Sequence, residues 1–129
     1  MANNDVVRAC PPRGNRVNRV VELDWLCCAS WNMGTLTSKS IELVKGLHRR
    51  KMNIACVQET KWLGDKAREI NGYKLWYSGG TRARNGVGIL VDKELTDRVV
   101  EVRRKSNCIM SIKLVVGIEA LNVICVYAP

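Results

Sequence analysis

The sequence predicts an α/β fold, an α+β sandwich built on a mixed sheet with one or two helices. Two observations carry this. A short apolar run ending at Trp31, a segment of helical period, and a second apolar run from Ile54 to Gln58 make a strand–helix–strand unit. Further apolar or alternating runs then follow, parted by glycine-rich and polar turns. With 129 residues, 47% hydrophobic and 26% charged, the composition is that of one small globular domain.

Taken in order, residues 1–21 read as a disordered or loosely ordered basic leader. They hold Pro11-Pro12, Gly14 and scattered arginines, without any period. The domain is expected over residues 22–129, truncated at its C-terminus. Leu23 to Trp31 reads as the first buried strand, broken by the polar segment that starts at Asn32. Thr37 or Ser38 can cap a helix that runs to about Arg50, with Ile41, Leu43, Val44 and Leu47 as its apolar stripe. Ile54 to Gln58 is the second strand, and the βαβ connection makes the two strands parallel. A polar loop follows. Tyr73 to Tyr77 alternates like a half-buried strand, and Val87 to Val91 is another. Val99 to Val102, Cys108 to Val116 and Leu121 to Tyr127 complete the strands, with a turn at Gly117-Ile118-Glu119.

The formal net charge is +9, which favours polyanions such as nucleic acid. The six cysteines follow no CxxC spacing and accompany a single histidine, which argues against a zinc site. Most sit in apolar runs and no secretory segment precedes them, so free thiols in an intracellular setting, nucleus or cytoplasm, are expected. No apolar stretch approaches the ~20 residues of a membrane span. His48, mid-helix in this reading, is assigned to the surface.

The chemistry is expected at the C-terminal ends of the parallel pair, which carry Asn32 and Glu59. A carboxylate there can hold Mg²⁺, a cation that takes few protein oxygens and keeps several waters. The amide of Asn32 cannot act as a base, but it can orient a phosphate or the water shell of the metal.

Four ordered motifs now matter: Ser30-Trp31-Asn32, Val57-Gln58-Glu59-Thr60-Lys61, Gly86-Val87-Gly88-Ile89 and Val126-Tyr127-Ala128-Pro129. Together they resemble the endonuclease/exonuclease/phosphatase superfamily. The wording is nearest to the endonuclease domains of LINE-type retrotransposons and the craniofacial development protein 2-like proteins derived from them. The resemblance implies the N-terminal half of a four-layer sandwich and Mg²⁺-dependent phosphodiester hydrolysis, with Mn²⁺ as a substitute metal. It makes Asn32 and Glu59 catalytic and metal-facing residues, and Tyr127 a catalytic residue beside the scissile phosphate. Arg82, Arg84 and Lys61 are placed to grip a nucleic-acid backbone, DNA being favoured as the partner.

The later family motifs, an Asp-x-Asn pair and a terminal Ser-Asp-His, do not occur in the 129 residues. The chain alone is therefore expected to bind the metal weakly and to lack activity. The alternatives are a catalytically dead nucleic-acid-binding or protein-interaction module, and a nonfunctional retroelement remnant. Exposed sheet edges are expected to favour self-association.

Overall fold

A computed structural model of the chain describes residues 4–7, 26–32, 40–81 and 85–128. The apolar runs become strands of two stacked sheets. The larger holds six strands: β1 (Asn4–Val7), β2 (Cys28–Asn32), β3 (Ile54–Gln58), β4 (Asp65–Ile70), β5 (Tyr73–Ser78) and β6 (Val87–Asp92). Their spatial order is β1-β2-β3-β6-β5-β4, and only β2 and β3 are parallel. The smaller sheet is a meander of β7 (Val99–Ser106), β8 (Ile109–Val116) and β9 (Glu119–Val126). Helix α1 (Ser40–Arg49) makes the βαβ crossover and α2 (Lys93–Thr96) is one short turn after β6. The mixed sheet and two helices are those of the expected α/β sandwich.

Both faces of the large sheet are covered, which is why its central strands are apolar nearly throughout. On one face Leu43, Val44 and Leu47 of α1 pack with Ala55, Val57, Tyr73, Leu75, Tyr77 and Leu90. On the other, Ile54, Trp76, Val87, Ile89 and Val91 meet Met110, Ile112, Leu114 and Cys125 of the small sheet. Each fully buried Leu or Ile contributes roughly 1.5–3 kcal/mol. Ile41, expected in the helix stripe, is 53% exposed. At 3.6 residues per turn it falls outside the arc that Leu43, Val44 and Leu47 share. The proposed caps Thr37 and Ser38 lie outside the described residues.

Several elements differ from the expectations. Asn4–Val7 pairs antiparallel with β2, inside the segment read as leader. The loop expected after β3 contains β4, whose side chains are exposed along all but its last residue. It is an edge strand held by backbone pairing to β5, and so it carries no apolar signature. Arg104 joins the two sheets here, its guanidinium donating to Tyr77 O at 3.0 Å and Lys66 O at 3.1 Å. His48 is the penultimate residue of α1 rather than mid-helix. It is exposed as expected, yet its ring stacks edge-on against Tyr73 and its Nε2 meets Asn71 O at 2.7 Å. Cys27 is disulfide-bonded, which corrects the expectation of free thiols throughout. Apolar surroundings do not distinguish a thiol from a bridged sulfur. Cys28, Cys56, Cys108 and Cys125 are free.

One rim of the large sheet is closed by hydrogen bonds. Asn53 Oδ1 accepts from Cys27 N at 2.9 Å, and its Nδ2 donates to Asp92 Oδ2 at 2.7 Å. Asp92 also caps α2, its Oδ1 accepting from Leu95 N at 3.1 Å. Tyr73 donates its hydroxyl to Met52 O. The opposite rim holds the residues of interest.

Candidate functional site

In the parallel pair, Asn32 stands opposite Gln58, so both strands finish level. The alternation along β2 and β3 puts Ser30, Asn32, Cys56 and Gln58 on the face that the small sheet covers. Gln58 is anchored there, its Nε2 donating to Ser30 Oγ at 3.1 Å and lying 3.8 Å from Cys125 Sγ of β9. Glu59 follows immediately. Its position is therefore fixed by a strand whose last side chain already spans both sheets.

The chain then turns sharply. Glu59 and Lys61 have φ of 56° and 60°, in the left-handed region that L side chains rarely occupy. Such conformations cost of order 1–3 kcal/mol each and cluster at functional sites. Backbone bonds hold the turn: Thr60 N donates to Gly86 O at 3.3 Å and Lys61 N to Asn85 O at 2.8 Å. Between the two left-handed residues Thr60 is fully buried. A Cβ on Gly86 would collide with Thr60 Oγ1, and Gly86 itself has φ +97°, so only glycine suits this strand entry.

The fourth motif arrives from the other sheet. Tyr127 follows β9, its N–H donating to Cys108 O at 2.9 Å. Its side chain lies against Glu59. Desolvation, then the charge and hydrogen bonding of the Glu59 carboxylate, push the phenol above its usual pKa. Two residues singled out in the sequence, Glu59 and Tyr127, are thus brought together from separate sheets.

Among the described residues, three buried polar atoms near this rim have no hydrogen-bond partner: Trp31 Nε1, Asn32 Oδ1 and Thr60 Oγ1. Buried polar atoms are nearly always paired, so such atoms call for an explanation. Among the described residues, no three His, Cys, Asp or Glu side chains gather as a metal-binding group. Among the described residues of this rim, Glu59 offers a carboxylate and Asn32 an amide oxygen.

Beside the turn lies an aromatic ledge that the sequence motifs did not mark. Trp62 is half-buried and packs edge-on against Tyr77, ring centroids 5.0 Å apart, with the Arg68 guanidinium 4.9 Å from its ring centre. The signal was available in principle, since a tryptophan following Lys61 continues the loop from Glu59. Arg82 and Arg84 lie outside the described residues, and Lys61 is half-buried.

No family model matches the chain. The chain is similar to craniofacial development protein 2 of Bos taurus, 27% identical over 105 residues. It is likewise similar to craniofacial development protein 2 of Tragulus javanicus, at 26% over 105 residues. Each match takes in 80% of this chain but only 18% of the relative, so the chain corresponds to a minor part of those proteins.

Proposed function

We propose that this chain carries the metal- and phosphate-facing portion of a Mg²⁺-dependent phosphodiesterase site and engages nucleic acid, DNA in preference, at the Asn32–Glu59–Tyr127 rim. The observation that supports this most is the meeting of Glu59 and Tyr127 from two sheets at the rim where Asn32 ends β2 opposite Gln58. A carboxylate and an amide oxygen suit Mg²⁺, which binds through few protein oxygens and retains waters. Mn²⁺ takes the same hard oxygen donors. Bound there, the metal supplies charge neutralisation at a phosphoryl oxygen.

The chain's own residues do the rest. Tyr127, kept protonated by its raised pKa, is a donor for a phosphate oxygen. Lys61 and Arg68 offer backbone contacts, and the Trp62 ring offers a stacking surface for a base. The same rim holds one carboxylate and no imidazole among the described residues, so no general base is placed for attack by water. The proposed activity of this chain by itself is therefore binding rather than cleavage.

The test combines two measurements. Anisotropy of a labelled DNA duplex should show affinity that falls linearly with log salt and gains from Mg²⁺, the gain disappearing in Glu59→Ala. Supercoiled plasmid should remain unnicked with Mg²⁺. Absence of binding at low salt would remove the nucleic-acid reading. Nicking that requires both Mg²⁺ and Glu59 would mean that the centre is complete.

A second reading, self-association, is favoured by the outer face of the small sheet. Ile109 stands opposite Val126 and Ser111 opposite Ile124, and all three apolar side chains are exposed beside the edge strand β9.

A further inference from the structure

Strands β3 and β9 belong to different sheets, yet their Cα atoms come within 8 Å. Stacked sheets usually lie about 10 Å apart. Small thiols interdigitate at this point instead of large side chains. Cys125 Sγ donates to Val57 O at 3.4 Å, while Cys56 Sγ lies 4.0 Å from Ile124 O. The contacts are reciprocal, each sulfur meeting the carbonyl of the residue next to the other cysteine. That crossing brings the two thiols to the same point between the sheets. Both are free thiols, Cys56 half-buried and Cys125 buried.

We propose that Cys56 and Cys125 form a redox-modification site, a thiol pair that hydrogen peroxide converts to a disulfide tying the large sheet to the small one. One thiolate attacks a peroxide oxygen, the O–O bond breaks, and a sulfenic acid and one water result. The second thiolate attacks that sulfur, the S–O bond breaks, the S–S bond forms and a second water leaves. Two thiols are oxidised and one peroxide is reduced, so the step balances. Hydrogen bonding from Cys56, with further help from Gly88 and Gln58, lowers the Cys125 thiol against the opposing effect of burial and so favours Cys125 as the first attacker, while the same pairing and burial push the Cys56 thiol up.

The location gives the tie a consequence. Cys56 lies three residues before Glu59, and Cys125 two before Tyr127. A covalent link between β3 and β9 would fix the spacing of the strands that present those side chains, whatever ligand the rim takes.

Tryptic mapping of the peroxide-treated full chain, without reduction, tests this directly. Peptides 52–61 and 114–129 each contain one cysteine, whereas Cys28 falls in peptide 20–39. The expected product joins 52–61 to 114–129 with loss of two hydrogens, in monomeric protein, and dithiothreitol reverses it. Cys28→Ser and Cys108→Ser should retain the cross-link. Cys56→Ser should lose it. Oxidation at Cys28 or Cys108 that leaves the two peptides unlinked, or a link found only between separate chains, would overturn the proposal. The wild-type map decides the matter even where a variant folds poorly.

Discussion

The two rims of the large sheet are made of similar residues and behave in opposite ways. At the start of β3, Asn53 joins Cys27, Asp92 and, through Asp92, the first turn of α2. Both ends of the Asn53 amide are bonded, although Lys51 and Asn71 beside it have φ of 54° and 43°, as left-handed as the turn at the other rim. At the end of β3, Glu59 and Lys61 sit in the left-handed region, and Asn32 Oδ1 and Thr60 Oγ1 have no partner among the described residues. One asparagine staples and the other is left open. The difference between the rims lies in what each leaves unsatisfied. A rim with spare hydrogen-bonding capacity is suited to a ligand, and a rim whose polar groups are satisfied is suited to stability.

The sharpest way to break this comparison is Asn53→Ala. It removes the acceptor of the Cys27 N–H bond and takes a charge-assisted donor from a part-buried carboxylate. The expected loss is about 3 kcal/mol in urea unfolding. A loss under about 1 kcal/mol would show that the first rim is no staple and the contrast is one of appearance.

A smaller effect is expected from pH at the same rim. Burial raises the Asp92 carboxyl above its ordinary 3.8, against the lowering effect of its bonds to Asn53 and Leu95. The folded state therefore binds the proton more tightly than the unfolded chain. Its contribution to stability is full below the unfolded value and is lost as pH rises through the folded value. Relative to Asp92→Asn, the wild type should gain stability as pH is lowered from neutral toward 4. The opposite slope would mean that the hydrogen bonds to the carboxylate outweigh its burial.

The smallest change is expected at the open rim. Thr60→Val removes a hydroxyl that has no partner among the described residues, so stability should stay within about 1 kcal/mol of wild type or rise. A loss above about 2 kcal/mol would mean that the hydroxyl is satisfied in solution, and the two rims would then be more alike than described.

Much of the fold was legible in the sequence because burial leaves a pattern. Strands β3 and β6 are apolar up to their last residues, Gln58 and Asp92, since both their faces are covered, and β8 alternates since only one face is. Strand β4 left no pattern, because Asp65-Lys66-Ala67-Arg68-Glu69 is exposed on both faces and held through its backbone. The division into two sheets was not legible either. It depends on pairing partners distant in sequence, which alternation cannot reveal. For the site, Asn32, Glu59 and Tyr127 were marked by motif, and the meeting of Glu59 with Tyr127 follows from the stacking of the sheets. Thr60, the Trp62–Arg68 ledge and the Cys56–Cys125 crossing were not marked. Each acquires meaning only from a neighbour on another strand.

The position of β6 carries a kinetic consequence. It is the last strand of the large sheet in the chain, yet it lies between β3 and β5. The β4–β5 hairpin can form from near neighbours, whereas β6 must enter a slot whose walls are already made or must recruit both walls at once. Ring closure between β3 and β6 is the long-range step, and such steps govern the rate of two-state folding. During synthesis β2, α1 and β3 emerge well before the strand that completes their sheet. In that interval β3 presents a bare edge, and any other strand of suitable pattern competes for the place that β6 will take.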